Sequence, residues 1–248
     1  MQPVIIRSTL LSQFENLVHG VSTVLGGEDN SPFKFNLSQN VGDEVKNVKF
    51  NREAFFSWLK VNEKSIVSQN QVHGCKISYI NKSAFLQEND ALITDNENVF
   101  LTVNIADCIP ILIFDPKKKI VAAVHSGWRG TELKILHHTL VKLKTDLMVN
   151  PEDLYVYFGH SICKNCFVVD CDVAVKFPKE NVKIFKEKYL IDLPGINFTL
   201  LKNEGVRQER IQISSLCTYE MKNLLHSYRR DGIRSGRMLA IIGMRSTN

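Results

Sequence analysis

The sequence predicts an α+β fold built on mixed β-sheet, and three observations predict it. Strand-like apolar runs crowd the middle of the chain, leucines repeat at helical spacing directly after them, and further strands and helices mix without a strict βαβ rhythm. With 248 residues the chain is long enough for a full hydrophobic core, and one domain over 1–248 is the expectation.

Residues 26–32, rich in glycine and polar side chains, read as a surface loop. From 43 to 60, Val45, Val48, Phe55, Phe56 and Leu59 fall near helical spacing, with Asp43 as the expected N-cap. Residues 99–104 and 109–114 read as strands, and a turn over 115–119 leads to a third, β-branched strand at 120–124. Between 131 and 148, Leu133, Leu136, Leu140, Leu143 and Leu147 trace one helical face. A strand at 154–158 ends at Gly159. Helices are expected near 171–177, 194–203 and 219–226, and short strands near 211–213 and 238–242.

Apolar residues make up 44% of the chain and charged residues 23%, which sets aside disordered, collagen-like and coiled-coil architectures. The net charge of +5 is a mild excess. Arg229, Arg230, Arg234, Arg237 and Arg245 gather late, but acidic residues interleave through most of the chain, so no nucleic-acid partner is expected. The first twenty residues hold no long apolar core and no stretch approaches bilayer-spanning length, so the expected setting is the cytoplasm, with no membrane partner. There the six cysteines are reduced, and one with a task serves as ligand or nucleophile rather than as half of a disulfide.

Three segments place such groups beside turn-forming or small residues: QNQVHG carries His73, NIADCIP carries Cys108 and AVHSGWRG carries His125. Loops at strand ends are where a rigid sheet presents functional groups. Two imidazoles and a thiolate make a three-ligand zinc site with a fourth position open, the pattern of catalytic rather than structural zinc. Taken singly, Cys108 reads as a small buried hydrophobe and the histidines as turn-fixing groups; the three together favour a site. In HSGWRG the glycines free backbone N–H groups for an anion and Arg129 offers a planar fork, although the Lys-Ser/Thr ending of a phosphate-binding P-loop is missing. Cys163 and Cys166 form a lone C-x-x-C, more often innocent than metal-binding or redox-active. Arg229 and Arg230 in SYRRDG are an anion-binding or a surface pair, and Asp107 orients a ligand, acts as a base or closes a turn. Asn36, Arg52, His137 and His138 have no independent local case.

Across these residues the sequence resembles the YfiH-type family, labelled both polyphenol oxidase (laccase-like) and purine nucleoside phosphorylase. The resemblance runs from His19 almost to the C-terminus, through HGVSTVLGG, FNLSQNVGDE with NRE, QVHG, NDALIT, ADCIPILIFDP, AAVHSGWRGT, Cys217–Thr218, YRRDG and GRM. It implies helices packed outside β-layers in an αββα-like order, a fold related to putative cysteine hydrolases. It also implies a zinc triad of His73, Cys108 and His125. The implied activities are phosphorolysis of adenosine, inosine and methylthioadenosine, and deamination of adenosine. A homodimer is the family precedent. Where relatives usually read GPxIGPCCYEVG, this chain reads GHSICKNCFVVD, with His160, Cys163 and Val168 replacing proline, glycine and glutamate.

The leading expectation is therefore a zinc-dependent purine nucleoside enzyme, with copper the alternative metal. Arginine forks match phosphate oxygens, which makes Arg52, Arg129 and Arg229 the phosphate candidates, Arg52 through its NRE segment alone. Asn36 joins them as a substrate-binding candidate. Three other readings stand beside it: a hydrolase using Cys108 as nucleophile with His73 or His125 as base, a copper-dependent phenol oxidase, for which seven histidines are few, and a non-catalytic binding module.

Overall fold

A computed structural model describes residues 2–27 and 31–246; part of the loop expected over 26–32 lies outside the described residues, at 28–30. Along the chain the strands are β1 (Ile5–Ile6), β2 (Leu17–Ser22), β3 (Ile66–Gln69), β4 (Ile77–Tyr79), β5 (Ala84–Leu86), β6 (Ala91–Thr94), β7 (Phe100–Ile105), β8 (Ile109–Asp115), β9 (Ile120–Ser126), β10 (Tyr155–Phe158), β11 (Val168–Val169), β12 (Val182–Phe185), β13 (Lys188–Ile191), β14 (Ile211–Ile213) and β15 (Met238–Met244). The helices are α1 (Val45–Trp58), α2 (Trp128–Glu132), α3 (Ile135–Leu147), α4 (Cys171–Ala174), α5 (Leu193–Asn203) and α6 (Tyr228–Asp231). One sheet has the order β1-β2-β15-β7-β3-β5, a second β14-β10-β8-β9-β6-β4, and a small third β11-β13-β12. Both large sheets are mixed: β3 runs parallel to β5 and β7, β4 to β6 and β14 to β10, while the other pairs are antiparallel.

The two-residue period of the strands sorts side chains into layers. On β8, Ile109, Ile111 and Ile113 pack with Leu136, Leu140 and Leu143 of α3 and Leu193 and Leu201 of α5. The alternate residues Leu112 and Phe114 pack with Leu101, Val103, Ala240 and Ile242 of the first sheet. That sheet's other face sets Val18, Phe100, Leu239 and Ile241 against Phe55 and Phe56 of α1. The layers run helix, sheet, sheet, helix, the expected α+β arrangement. Because β8 and β9 are covered on both faces, their sequences IPILIFD and IVAAVHS are nearly continuous apolar runs. Each fully buried Leu, Ile or Phe there contributes about 1.5–3 kcal/mol.

Three local expectations need correction. Glu44, not Asp43, holds the N-cap position of α1 and makes no side-chain cap bond; Asp43 Oδ1 accepts instead from the Glu44 N–H at 2.9 Å. The leucine-lined helix is interrupted at Lys134, whose φ of 56° is left-handed and divides α2 from α3. Residues 219–226 form turns instead of a helix. The Arg230 guanidinium donates to the carbonyls of Thr218, Tyr219 and Leu225, groups that a helix there would need for its own ladder.

Among the buried histidines, His160 and His226 are the two most strongly lowered by burial. Burial is the main cause that holds His160 down at about 4 and His226 at about 3, against about 6.5 for a free imidazole. Both rings therefore stay neutral in the fold while the unfolded chain takes up protons below about pH 6.5. Their contribution is complete above that pH and is lost as pH falls toward 4. A melting temperature that drops across pH 6.5 to 4, and drops less in His160→Gln, is the expected result; equal slopes in the two proteins would contradict it.

Candidate functional site

Strand register assembles the site. In the β8–β9 hairpin, Ile109 pairs with Ser126 and Pro110 with His125, so the next step places Cys108 opposite Gly127 and beside His125. In the β6–β9 pair, Ala91 faces Val124, and the same continuation sets Asp90 against His125. The His125 N–H donates to the Asp90 carbonyl at 2.8 Å, and His125 Nδ1 lies 2.8 Å from Asp90 Oδ1. That bond fixes the ring and leaves Nε2 for the site.

His73 arrives from the turn after β3, with a left-handed φ of 60°. The turn is held by the same carboxylate: the N–H groups of Val72, His73 and Gly74 donate to Asp90 at 3.2, 3.0 and 2.8 Å. Gln71 ties it to β7 through a paired bond with the Asn104 backbone, at 2.8 and 2.7 Å. The donor atoms of His73, Cys108 and His125 consequently all lie within 4.8 Å of one another, and the two rings sit edge to face with centroids 4.8 Å apart.

These residues fit a zinc-class ion. Two imidazoles and a thiolate are its usual borderline donors, and Asp90 supplies the carboxylate that metal-ligating histidines commonly require. Gly127 keeps the space open, since a Cβ at that position would stand 2.7 Å from Cys108 Sγ and 3.2 Å from His73 Cδ2. The electrostatics agree. Burial pushes the Cys108 thiol up, but the His125 charge and the hydrogen bonds of both histidines outweigh it and bring it to about 6. Burial pushes His125 down, while the Cys108 charge and the Asp90 bond carry it up to about 9. Without an ion the pair is thus thiolate and imidazolium; a bound cation replaces the proton.

The three residues open into a cavity of about 590 Å³, whose walls also carry Asp107, Arg129, Arg229 and Arg237. Arg129 stacks on Trp128, 4.2 Å from its ring centroid. Arg229 lies 5.0 Å from the Phe167 centroid and donates to the Val168 carbonyl. Asp107, at a φ of 90°, accepts from Thr218 Oγ1 and from the Arg229 N–H, both at 2.6 Å. With both oxygens engaged, Asp107 joins the cavity floor to the start of α6, the arrangement of the turn-closing role among the three the sequence left open.

Two expected substrate contacts lie outside the cavity wall. Arg52 is committed to Glu63 at 3.0 Å and the Leu37 carbonyl at 3.3 Å, and it sits over Phe56. Asn36 is fully buried, bonded to Ser38 and Asp43, and accepts from the Arg237 N–H at 2.9 Å, so it positions an arginine instead of touching substrate. Sequence reasoning missed Asp90 and Arg237, although both stand in the motifs NDALIT and GRM. It also missed Gln69 and Asn104, cavity-lining amides whose Nε2 and Oδ1 respectively are buried without partners.

Known proteins share this arrangement of chain. The model of a family described as multi-copper polyphenol oxidoreductase laccase matches residues 18–245. A purine nucleoside phosphorylase YlmD of Bacillus subtilis is 31% identical over 250 residues, covering 93% of this chain and 90% of the relative. A protein of the same name from Geobacillus stearothermophilus is 34% identical over 251 residues, covering 94% and 92%. The crystal structure of the hypothetical protein YfiH of Bacillus licheniformis superposes with a TM-score of 0.89 at 30% identity, over 94% of each chain.

Proposed function

The chain belongs to the multi-copper polyphenol oxidoreductase laccase family, and on that premise we propose that it is a purine nucleoside enzyme, one catalytic domain that phosphorolyses adenosine, inosine and methylthioadenosine and deaminates adenosine. The observation that carries the proposal is the convergence of His73, Cys108 and His125 in a cavity that also presents three arginines. The relatives' name, purine nucleoside phosphorylase, supports the phosphorolytic part of the proposal.

His73, Cys108 and His125 would hold a zinc-class ion, which supplies Lewis acidity to an oxygen at the site. The chain's own groups do the rest. Arg129, Arg229 and Arg237 offer planar forks for phosphate, bringing its oxygens toward C1′ of the ribose. In phosphorolysis the C1′–O bond to phosphate forms as the C1′–N bond to the purine breaks, and the purine leaves with the bond's electron pair and a proton. Gln69 Nε2 and Asn104 Oδ1, a donor and an acceptor left unpaired on the wall, supply polar contacts for nucleoside. Phe167 and Trp128 add apolar surface against a ring.

Incubation with each nucleoside, with and without phosphate, tests this. Ribose 1-phosphate, methylthioribose 1-phosphate or inosine formed above a Cys108→Ala control supports the proposal; none above that control ends it. In Arg129→Ala the KM for phosphate is expected to rise about 10–150-fold, the worth of about 1.5–3 kcal/mol for a bond to a charged partner. An unchanged KM would remove Arg129 from phosphate binding.

A second reading has its own support. Cys108, His125 and Asp90 stand as thiolate, imidazolium and orienting carboxylate, the order of a cysteine-nucleophile hydrolase. Full activity after exhaustive chelation, abolished by a thiol alkylator, would favour it. Phenol oxidation by several coppers has less support. His19 bonds the Ser8 carbonyl, His160 the Ser22 carbonyl and His137 Glu204, and none of these lines the cavity.

A further inference from the structure

Ile162 and Phe167 form part of the cavity wall, and the turn between them brings two cysteines to a second cluster that the reaction above does not use. One donor atom each from Cys163, Cys166, Cys217 and Glu220 all lie within 4.8 Å of one another. In sequence they are two matching pairs, C-x-x-C and C-x-x-E, and the lone C-x-x-C thus gains partners from 54 residues further along the chain.

Backbone bonds shape both turns for this meeting. The N–H groups of Cys166 and Phe167 donate to the Cys163 carbonyl at 3.0 and 3.1 Å, curling the first turn. The Met221 N–H donates to the Cys217 carbonyl at 3.0 Å, closing the second. A bridge between Ser161 and Cys217, with the Thr218 N–H on the Ser161 carbonyl at 3.0 Å, joins the two. The Cys163 N–H points at Cys217 Sγ at 3.3 Å, an amide-to-sulfur bond that fixes the orientation of that sulfur. Cys166 Sγ stands 3.6 Å from Glu220 Oε1.

We propose that Cys163, Cys166, Cys217 and Glu220 form a second, structural metal site for a zinc-class divalent cation. Three thiols select such an ion over magnesium or calcium. With four protein ligands the shell is closed, unlike the three-residue set of the cavity, and a closed tetrahedral shell is the mark of a structural site. Zinc–sulfur bonds of about 2.3 Å give sulfur–sulfur edges of about 3.8 Å, so donors already within 4.8 Å need draw in by about 1 Å at most. Binding releases the three thiol protons and leaves a centre of net charge about −2, part of which the Cys163 N–H on Cys217 Sγ offsets. Cys163 and Cys166 are only half-buried and Glu220 is exposed, which gives the ion a path in, while Cys217 anchors the site from the interior. The bound ion would brace the wall of Ile162 and Phe167, and Thr218, which donates to Asp107.

This site stands apart from the proposed reaction, and metal content separates the two. Full-length protein, purified with reductant, loaded with zinc and desalted, is expected to carry about two ions per chain. The double variant Cys163→Ser/Cys166→Ser should carry about one, and His73→Ala/Cys108→Ala about one. In the latter protein cobalt(II) should give the thiolate charge-transfer band of three sulfurs, and chelation should lower its melting temperature. Zinc content unchanged by Cys163→Ser/Cys166→Ser overturns the proposal, as does a disulfide within the cluster in the reduced preparation. Should the cysteine variant fail to fold, the cobalt spectrum of His73→Ala/Cys108→Ala decides alone, and the absence of a thiolate band there refutes the second site.

Discussion

Asp90→Ala is expected to cost about 3–5 kcal/mol of stability, the usual loss when one partner of a buried charged pair is removed, and to empty the cavity's metal centre. The carboxylate is fully buried and accepts from the backbone of Val72, His73 and Gly74 and from His125 Nδ1. Burial by itself would raise its pKa, but the His125 and backbone bonds overcome this and hold it below the usual carboxylate range. Alanine orphans three amides and frees both the turn that carries His73 and the ring of His125. Asp90→Asn separates the two effects. It retains the volume and one acceptor, so stability falls less, yet the uncharged amide orients His125 poorly and zinc affinity should fall about 10–100-fold. Denaturant unfolding and competitive zinc titration read the two quantities. Wild-type zinc affinity in both variants would show that Asp90 shapes the turn alone.

The second large effect belongs to Cys108→Ala. Loss of one of three donors should weaken zinc by more than the ~100-fold that outer partners cost and reduce turnover to that of metal-free protein. Stability should change little in comparison, because a half-buried small side chain leaves a small cavity. Zinc content and nucleoside turnover are to be measured on the same preparation. Turnover lost with the cavity's zinc retained would transfer Cys108 from metal ligand to nucleophile.

Much of the layered core is legible in the chain because both faces of β8 and β9 are buried, leaving long apolar runs bounded by turn residues. The following leucines announce α3 for a similar reason, since one face meets the sheet. Many of the strands that went unread are short, β4 and β5 spanning three residues each and β11 two, too few for a period to show. The exception is β2, six buried residues whose LVHGVS is broken by a histidine and a glycine and so does not read as an apolar run. His73, Cys108 and His125 are legible because soft donors beside glycines at strand ends are unusual. Asp90 is not, because an acidic residue before a strand looks like any turn residue until register sets it against His125, 35 positions later. Arg52 shows the opposite failure. Its place in a motif says nothing of where a long side chain ends, and Glu63 holds it away from the cavity.

The convergence of His73, Cys108 and His125 on one ion is tested most directly by cobalt(II) titration of Cys163→Ser/Cys166→Ser protein, in which that set is the one intact metal-ligand group among the described residues. We expect about one ion per chain, with a single-thiolate charge-transfer band that disappears on Cys108→Ala. Failure to bind cobalt, or a spectrum indifferent to Cys108→Ala, would contradict the account.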